Sequence, residues 1–516
     1  MRTRRQFLKG ASAAYCAVAF SDLEVRESIG ESQPELASQL AHDPRRPQFH
    51  LLPTHNWMND PNGPVYFAGL YHMFFQYNPE APIWGNMSWN HAVSPDMLHW
   101  RNYPVAFTMT TGSADAAGCF SGSMLVEEHA GKPRAYAIYT GVTRDKAKET
   151  IRNEGLRESQ CLAWSDDLLL QQWQKSAQPA IPNPPAGLAI TGFRDPFMWK
   201  EKQAYLMTVG SGVEKRGGCV LLYRSTNLMD WEYLHPLASG SWNGTPTPNP
   251  VDDGEMWECP DFFPLDGGHV LIYSTMGKVF WQSGLFDQET LRFKANKSGE
   301  LDVGAFYAPK TQLDAEGRRI LWGWIPERRS QAEMLKAGWS GMMSLPRLLH
   351  LESDGTLRMQ ILPQTEVLRG GSIVARSVAS GSVLTLPAAT GEVWCAGKRD
   401  SASELSFSLG STELMTIRYE PVEGAWLVDE KKVVPGPSDR PSVHAFVDGS
   451  VIEVILSERA GYVRRFYYPG AVAPDLTVRV KGTGQELRGW EISPITQNRL
   501  TTIGPFFAPE KGAVRS

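Results

Sequence analysis

The stretches HAVSPDMLHW (91–100), LAWSDDLLLQQW (162–173) and LYRSTNLMDW (222–231) are built alike: strand-forming residues, a serine, a turn carrying Asp or Asn, a leucine, and a closing tryptophan. Trp100, Trp173 and Trp231 lie 73 and 58 residues apart. Self-similarity at that interval, in four-stranded units, is the signature of a β-propeller. About 300 residues at about 60 per unit makes about five blades. Coincidence among Ser/Asp turns of some other all-β chain is the competing explanation.

The rest of the chain extends the pattern. YHMFFQYN (71–78), RAYAIYTGV (134–142), HVLIYST (269–275) and RRILWGWI (318–325) read as strands rich in aromatic and β-branched residues. Turn residues such as Asp266-Gly267-Gly268 and Glu316-Gly317 divide them. Beyond about residue 360 the tryptophans thin out. VHAFVDGSVIEVIL (443–456) reads as a hairpin on an Asp448-Gly449 turn, and YVRRFYYP (462–469) as a further strand. A chain of such hairpins over about 150 residues fits a two-sheet sandwich. The expected architecture is all-β: a five-bladed β-propeller over 47–355, then a C-terminal β-sandwich over 356–516.

The first twenty residues, MRTRRQFLKGASAAYCAVAF, carry Arg4-Arg5 ahead of an apolar run from Ala11 to Phe20. They read as a twin-arginine signal, which makes the twin-arginine export machinery a partner and the periplasm or cell exterior the expected location. The run is too short for a stable membrane span. Ala17-Val18-Ala19 is a candidate cleavage site, and Tyr15-Cys16 fits a lipid anchor poorly. Residues 21–46 read as a polar linker. Against 56 acidic residues stand 51 Lys and Arg, a net charge of −5 without long runs of one sign, so no nucleic-acid partner is expected. Beyond the signal, Cys119, Cys161, Cys219, Cys259 and Cys395 are odd in number and show no CxxC pairing. That argues against a disulfide framework and a zinc site. Oligomeric state is not legible.

A propeller brings the first strand of each blade to a central channel, where residues distant in sequence meet. Early-strand acids in different repeats are therefore informative. Asp60 lies in NWMNDPNG (56–63), Asp195 in GFRDPF (192–197) and Glu258 in MWECPDFF (256–263). Each alone has a structural reading: Asp60-Pro61-Asn62-Gly63 makes a plausible tight turn. Together, one per repeat, they are the equipment of glycoside cleavage. A retaining glycosidase needs a carboxylate nucleophile and a carboxylic acid about 5–5.5 Å apart, in environments that keep one ionised and the other protonated. Trp257 and Cys259 are expected to desolvate Glu258, and hydrogen bonds from the Asn59 and Asn62 region to hold Asp60 ionised.

WMNDPNG, RDP and ECP, in this order, resemble glycoside hydrolase family 32, the invertases, inulinases and levanases. FFQYNPEAPIWGNMSWNHAVSPDMLHW, CFSGS, DVGAFYAPK, LWGW and GWSGMMSLPR continue the similarity from about residue 48 to 350. The resemblance implies a retaining β-fructofuranosidase acting on fructose-containing oligo- or polysaccharides, without metal or cofactor. It implies Asp60 as nucleophile, Glu258 as acid/base, and Asp195, supported by Arg194, as stabiliser of the transition state. Trp57, Asn59, Gln76, Trp84, Phe120, Ser121 and Trp339 match positions that bind fructose, and Asp302 a position associated with the glucose half of sucrose. Asn90 and Ala305 depart from the common pattern and bear on the leaving-group preference. Fructan exohydrolysis and fructosyl transfer use the same three carboxylates. A non-catalytic sugar-binding propeller would have lost one of them.

Overall fold

The computed structural model describes residues 34–144, 152–378, 380–436, 438–482 and 485–496. The export signal expected at residues 1–20 lies outside the described residues. What is described is built almost wholly of strands. Five successive four-stranded antiparallel units begin with the strands Asn56–Phe67, Gly118–His129, Ile190–Glu201, Glu258–Leu265 and Tyr307–Leu313. These first strands touch one another in chain order, and the fifth touches the first, so the units form a closed ring around them. The segment after the helix Gln331–Ala337 completes the closure. Trp339 and Ser340 pair with Asn56 and Trp57 of the first unit, and Met342 and Met343 pair with Ile325 and Trp324 of the fifth.

The repeated Ser-Asx-Leu-Trp stretch links the third and fourth strands of a unit, for a local reason. In the first copy Asp96 Oδ1 accepts the N–H groups of Leu98 and His99, both at 2.9 Å. In the third, Asn227 Oδ1 accepts Met229 and Asp230 at the same distance. The tryptophan indoles then donate to Met97, Leu170 and Leu228 carbonyls at 3.1, 2.8 and 2.9 Å, which locks each turn. Those three acceptors sit at positive φ, a conformation the side-chain hydrogen bonds hold in place.

The fourth unit runs on into the C-terminal strands: Arg292–Asp302 pairs with Ala460–Arg465, so one sheet spans the junction. A separate six-stranded sheet completes the C-terminal region, and the two enclose a core with Trp426, Phe407 and Tyr419. Two expectations are corrected here. The strand Leu357–Ile361 belongs to the fifth unit, so a boundary at 355 would cut it off. Part of the stretch read as a linker is a helix, Pro34–His42, whose Leu40 is fully buried and whose Gln39 caps the carbonyl of Lys336. The five cysteines outside the signal are free and buried.

The predicted Asp448-Gly449 hairpin joins Ser442–Asp448 to Val451–Leu456. Its aspartate ties the N-terminal segment to the C-terminal sheet, accepting the N–H groups of Gln48, Phe49 and His50 and the His50 ring at 2.8 Å. His50 Nε2 lies 3.4 Å from Glu453, and Glu453 pairs with Arg347, which pairs with Asp302, all with fully buried side chains. Burial pushes the imidazole down, but the bonds to Asp448 and Glu453 outweigh it and raise it to about 9. A raised histidine stabilises fully below its unfolded value near 6.5 and loses that contribution as pH rises through about 9. The melting temperature should therefore fall between pH 7 and 10. His50→Gln, which lacks that contribution of about 3 kcal/mol, should melt lower at pH 6 and show a flatter profile. Parallel melting curves for the two proteins across this range would contradict it.

Candidate active site

Every first strand carries a β-bulge at the same depth. The ladder to the second strand is interrupted between Met58 and Pro61, Cys119 and Gly122, Arg194 and Phe197, Glu258 and Asp261, and Tyr307 and Lys310. The residues set free are Asn59-Asp60, Phe120-Ser121, Asp195-Pro196, Cys259-Pro260 and Ala308-Pro309. A bulge tilts its side chains out of the pleat, and proline fits there because it has no N–H to give a ladder. Asp195, Cys259 and Ala308 take positive φ at these points. Asp60-Pro61-Asn62-Gly63 is thus no tight turn. It lies inside a twelve-residue strand, and a bulge rather than a turn aims Asp60.

Asp60 Oδ2 accepts the Ser121 hydroxyl at 2.6 Å and the Cys259 thiol at 3.5 Å, while Oδ1 accepts Asn59 Nδ2 at 3.1 Å. Burial raises its proton affinity and the nearby Glu258 charge adds to that, against these three bonds. Of the bonds expected to keep Asp60 ionised that from Asn59 is present, Ser121 and Cys259 supply two others, and burial outweighs all three. Asp195 is 3% exposed, and its Oδ2 accepts both the N–H and the thiol of Cys259, at 3.0 and 3.3 Å. Burial first, then the charges of Glu258 and Asp60, push it up to about 7 against Arg194 and Lys310. Cys259 therefore bridges the two aspartates, a role its sequence gave no sign of.

Glu258 is held differently from the expectation. Trp257 does not shield it: its ring stacks on Tyr273 at 3.8 Å and lies against Gly218 and Gly240, where a Cβ would collide with it. Instead Arg194 donates Nε and Nη2 to Glu258 Oε1 at 2.9 and 2.8 Å, and the Tyr307 hydroxyl donates to Oε2 at 2.8 Å. Tyr307 stands in DVGAFYAPK, where no neighbouring residue marks it as a partner of Glu258. Lys310, fully buried three residues on, bonds the Pro260 carbonyl at 2.8 Å.

Several expected binding residues gather at this axis. Trp57 donates to Asn59 Oδ1 at 2.7 Å and meets Trp324 edge-on. Gln76 is buried and donates to the Cys119 carbonyl at 2.9 Å, next to Phe120 and Ser121. Trp84, 48% exposed, stands edge-on to Phe120 at 6.0 Å and offers an aromatic face to solvent. Two residues are not brought there. Asp302 is fully buried at the seam with the C-terminal sheet, its carboxylate taken by Arg347 at 2.8 Å and by the N–H of Gly304 at 2.9 Å. Trp339 is likewise buried, donating to Asp43 at 3.0 Å with the Arg329 and Arg46 guanidinium groups 4.4 and 5.2 Å from its ring. Both serve packing. Ala305 faces the same seam through Val463, and Asn90 is buried inside the first unit opposite Phe75.

Three carboxyl groups converging on one axis, Asp195 buried and Asp60 and Glu258 half-buried, with Glu258 gripped by an arginine and a tyrosine, are the equipment of a glycosidase. The sequence agrees with that class. The chain belongs to glycoside hydrolase family 32: the model of the glycosyl hydrolases family 32 N-terminal domain matches residues 50–361. A sucrose-6-phosphate hydrolase of Escherichia coli is 34% identical over 455 residues, 82% of this chain and 89% of the relative. A raffinose invertase of the same organism is 36% identical, covering 67% of this chain and 71% of its own. A family 32 β-fructofuranosidase of Bombyx mori superposes with a TM-score of 0.75 at 27% identity over 90% of this chain and 98% of that one, as does a variant of it solved with sucrose, at 28%. The protein is a glycoside hydrolase.

Proposed function

We propose that this glycoside hydrolase releases terminal β-D-fructofuranosyl units from sucrose and related fructosides with retention of configuration. The observation that carries the reading is the placing of Asp60 and Asp195 on two bulges and Glu258 at the edge of a third, around one axis. Asp60 attacks the anomeric carbon of the fructosyl unit. Glu258 gives its proton to the departing glycosidic oxygen and then takes one from the attacking water. Asp195, with Arg194 beside it, binds the ring hydroxyls, and Trp57, Asn59, Gln76, Trp84, Phe120 and Ser121 form the walls. The ring of four-stranded units is read as a five-bladed propeller and the sheets after Ile361 as a sandwich. The closing contacts between the first and fifth units support this.

Asp302, its carboxylate taken by Arg347 and Gly304, does not carry a preference for sucrose. It is supported by the relatives, which are named for sucrose-type substrates. The test is a panel of sucrose, raffinose, inulin and levan at initial rates, with the first-formed fructose followed by NMR. Retained β-fructose and kcat/KM on sucrose at least equal to that on inulin are expected. Inverted product would overturn the covalent mechanism. A tenfold advantage for inulin or levan, about 1.4 kcal/mol in the transition state, would make the enzyme a fructan exohydrolase. Longer products accumulating at high sucrose would show fructosyl transfer.

A further inference from the structure

The guanidinium that grips Glu258 is shared. Arg194 Nη1, on the side away from Glu258, donates to Glu158 Oε1 at 2.7 Å and to Asn153 Oδ1 at 3.0 Å. Glu158 comes from the strand Leu156–Ser165 of the second unit, and its side chain is 3% exposed. Its other oxygen accepts the N–H of Phe193 at 2.6 Å and the Asn153 amide at 3.4 Å. One carboxylate thus fixes both the backbone leading into Arg194 and the far edge of its guanidinium.

This arrangement answers a difficulty in the mechanism. An arginine bonded to a carboxylate favours the charged form, whereas a proton donor must enter the reaction protonated. A second carboxylate on the far side of the same guanidinium counters its field. We propose that Glu158 is a positioning residue that sets how firmly Glu258 holds its proton, by sharing Arg194 with it. The inference rests on the acid role assigned to Glu258. Among the described residues the other groups facing Glu258 are Asp60, Asp195, Asp252, the Cys259 thiol and the Tyr307 hydroxyl, and none of them changes in the variants below.

The readout is the pH dependence of kcat/KM on sucrose. Glu158→Gln removes the charge and keeps the length, so the alkaline limb should move to lower pH by roughly half a unit to one unit. Glu158→Asp keeps the charge, and its limb should stay within about 0.2 unit of the parent even where the shorter side chain slows the enzyme. Asn153→Asp, on the short turn Arg152–Gly155, adds a negative charge at the same edge of Arg194 and should move the limb to higher pH. Opposite shifts in E158Q and N153D are the expected result. An unmoved limb in N153D, or equal shifts in E158Q and E158D, would reduce Glu158 to scaffolding and overturn the proposal. Glu258→Gln, assayed on a fructoside with an activated aryl leaving group, should lack the alkaline limb altogether. If that limb persists, the acid assignment itself has failed and the proposal falls with it.

Discussion

Asp60→Asn should lower kcat/KM on sucrose by about 10⁴-fold or more, the scale of losing a covalent nucleophile, while the protein melts no lower than its parent. The loss follows from chemistry: an amide nitrogen or oxygen cannot form and release the fructosyl bond as a carboxylate does. Shape is nearly conserved, since the amide oxygen can still accept from Ser121, whose hydroxyl lies 2.6 Å from the carboxylate. Substrate binding should therefore survive, and titration with sucrose should still show saturable binding. The stability half follows from sign. Burial and the Glu258 charge raise the proton affinity of Asp60, so ionising it in the folded protein at neutral pH costs more than in the unfolded chain. A neutral Asn removes that cost. Steady-state rates and calorimetric melting check both halves. Activity within a hundredfold of the parent would remove Asp60 as nucleophile.

Glu258→Gln should lower kcat/KM on sucrose by about 10²- to 10⁴-fold, the usual contribution of a positioned general acid. On a fructoside whose leaving group needs no proton the loss should be much smaller. The contacts survive the change: the amide oxygen can accept Arg194, and the Tyr307 hydroxyl can turn to accept the amide N–H in place of donating at 2.8 Å. What is lost is the proton. Equal losses on good and poor leaving groups would mean that the variant damages the site as a whole, and the acid would have to be sought elsewhere. Added azide, a nucleophile that needs no base, should displace Asp60 from the fructosyl intermediate as fructosyl azide and so speed the variant on the activated substrate if Glu258 also activates water.

Where the deciding interactions close over a few residues, the chain could be read directly. The Ser-Asx-Leu-Trp turns are complete within about seven to nine residues: the Asx side chain takes the next N–H groups and the indole reaches back three positions. The repeat, the strands between its copies and the Asp448-Gly449 hairpin were legible for that reason. So were Asp60, Asp195 and Glu258, because acids beside proline, arginine or tryptophan stand early in the first strands of three of the five units. The same local reading misjudged how Asp60 is aimed. A Pro-Asn-Gly sequence has turn propensity, but the second strand pairs on both sides of it and leaves room only for a bulge.

What tertiary structure alone decided is which side chains meet across units. Asp302 and Trp339 carry motif-like neighbours, yet Arg347, Glu453, Arg329 and Asp43 arrive from other parts of the chain and bury them away from the axis. Tyr307 and Cys259 enter the site because ring closure sets first strands side by side that are some fifty or more residues apart in the chain, and Glu158 because the third strand of the second unit packs against the first strand of the third. The sequence by itself determined the repeating unit, the family and the three acids. The proton affinities of Asp60 and Asp195, and the partners that tune them, depend on burial and on charges brought from other units, and no local pattern of residues encodes those.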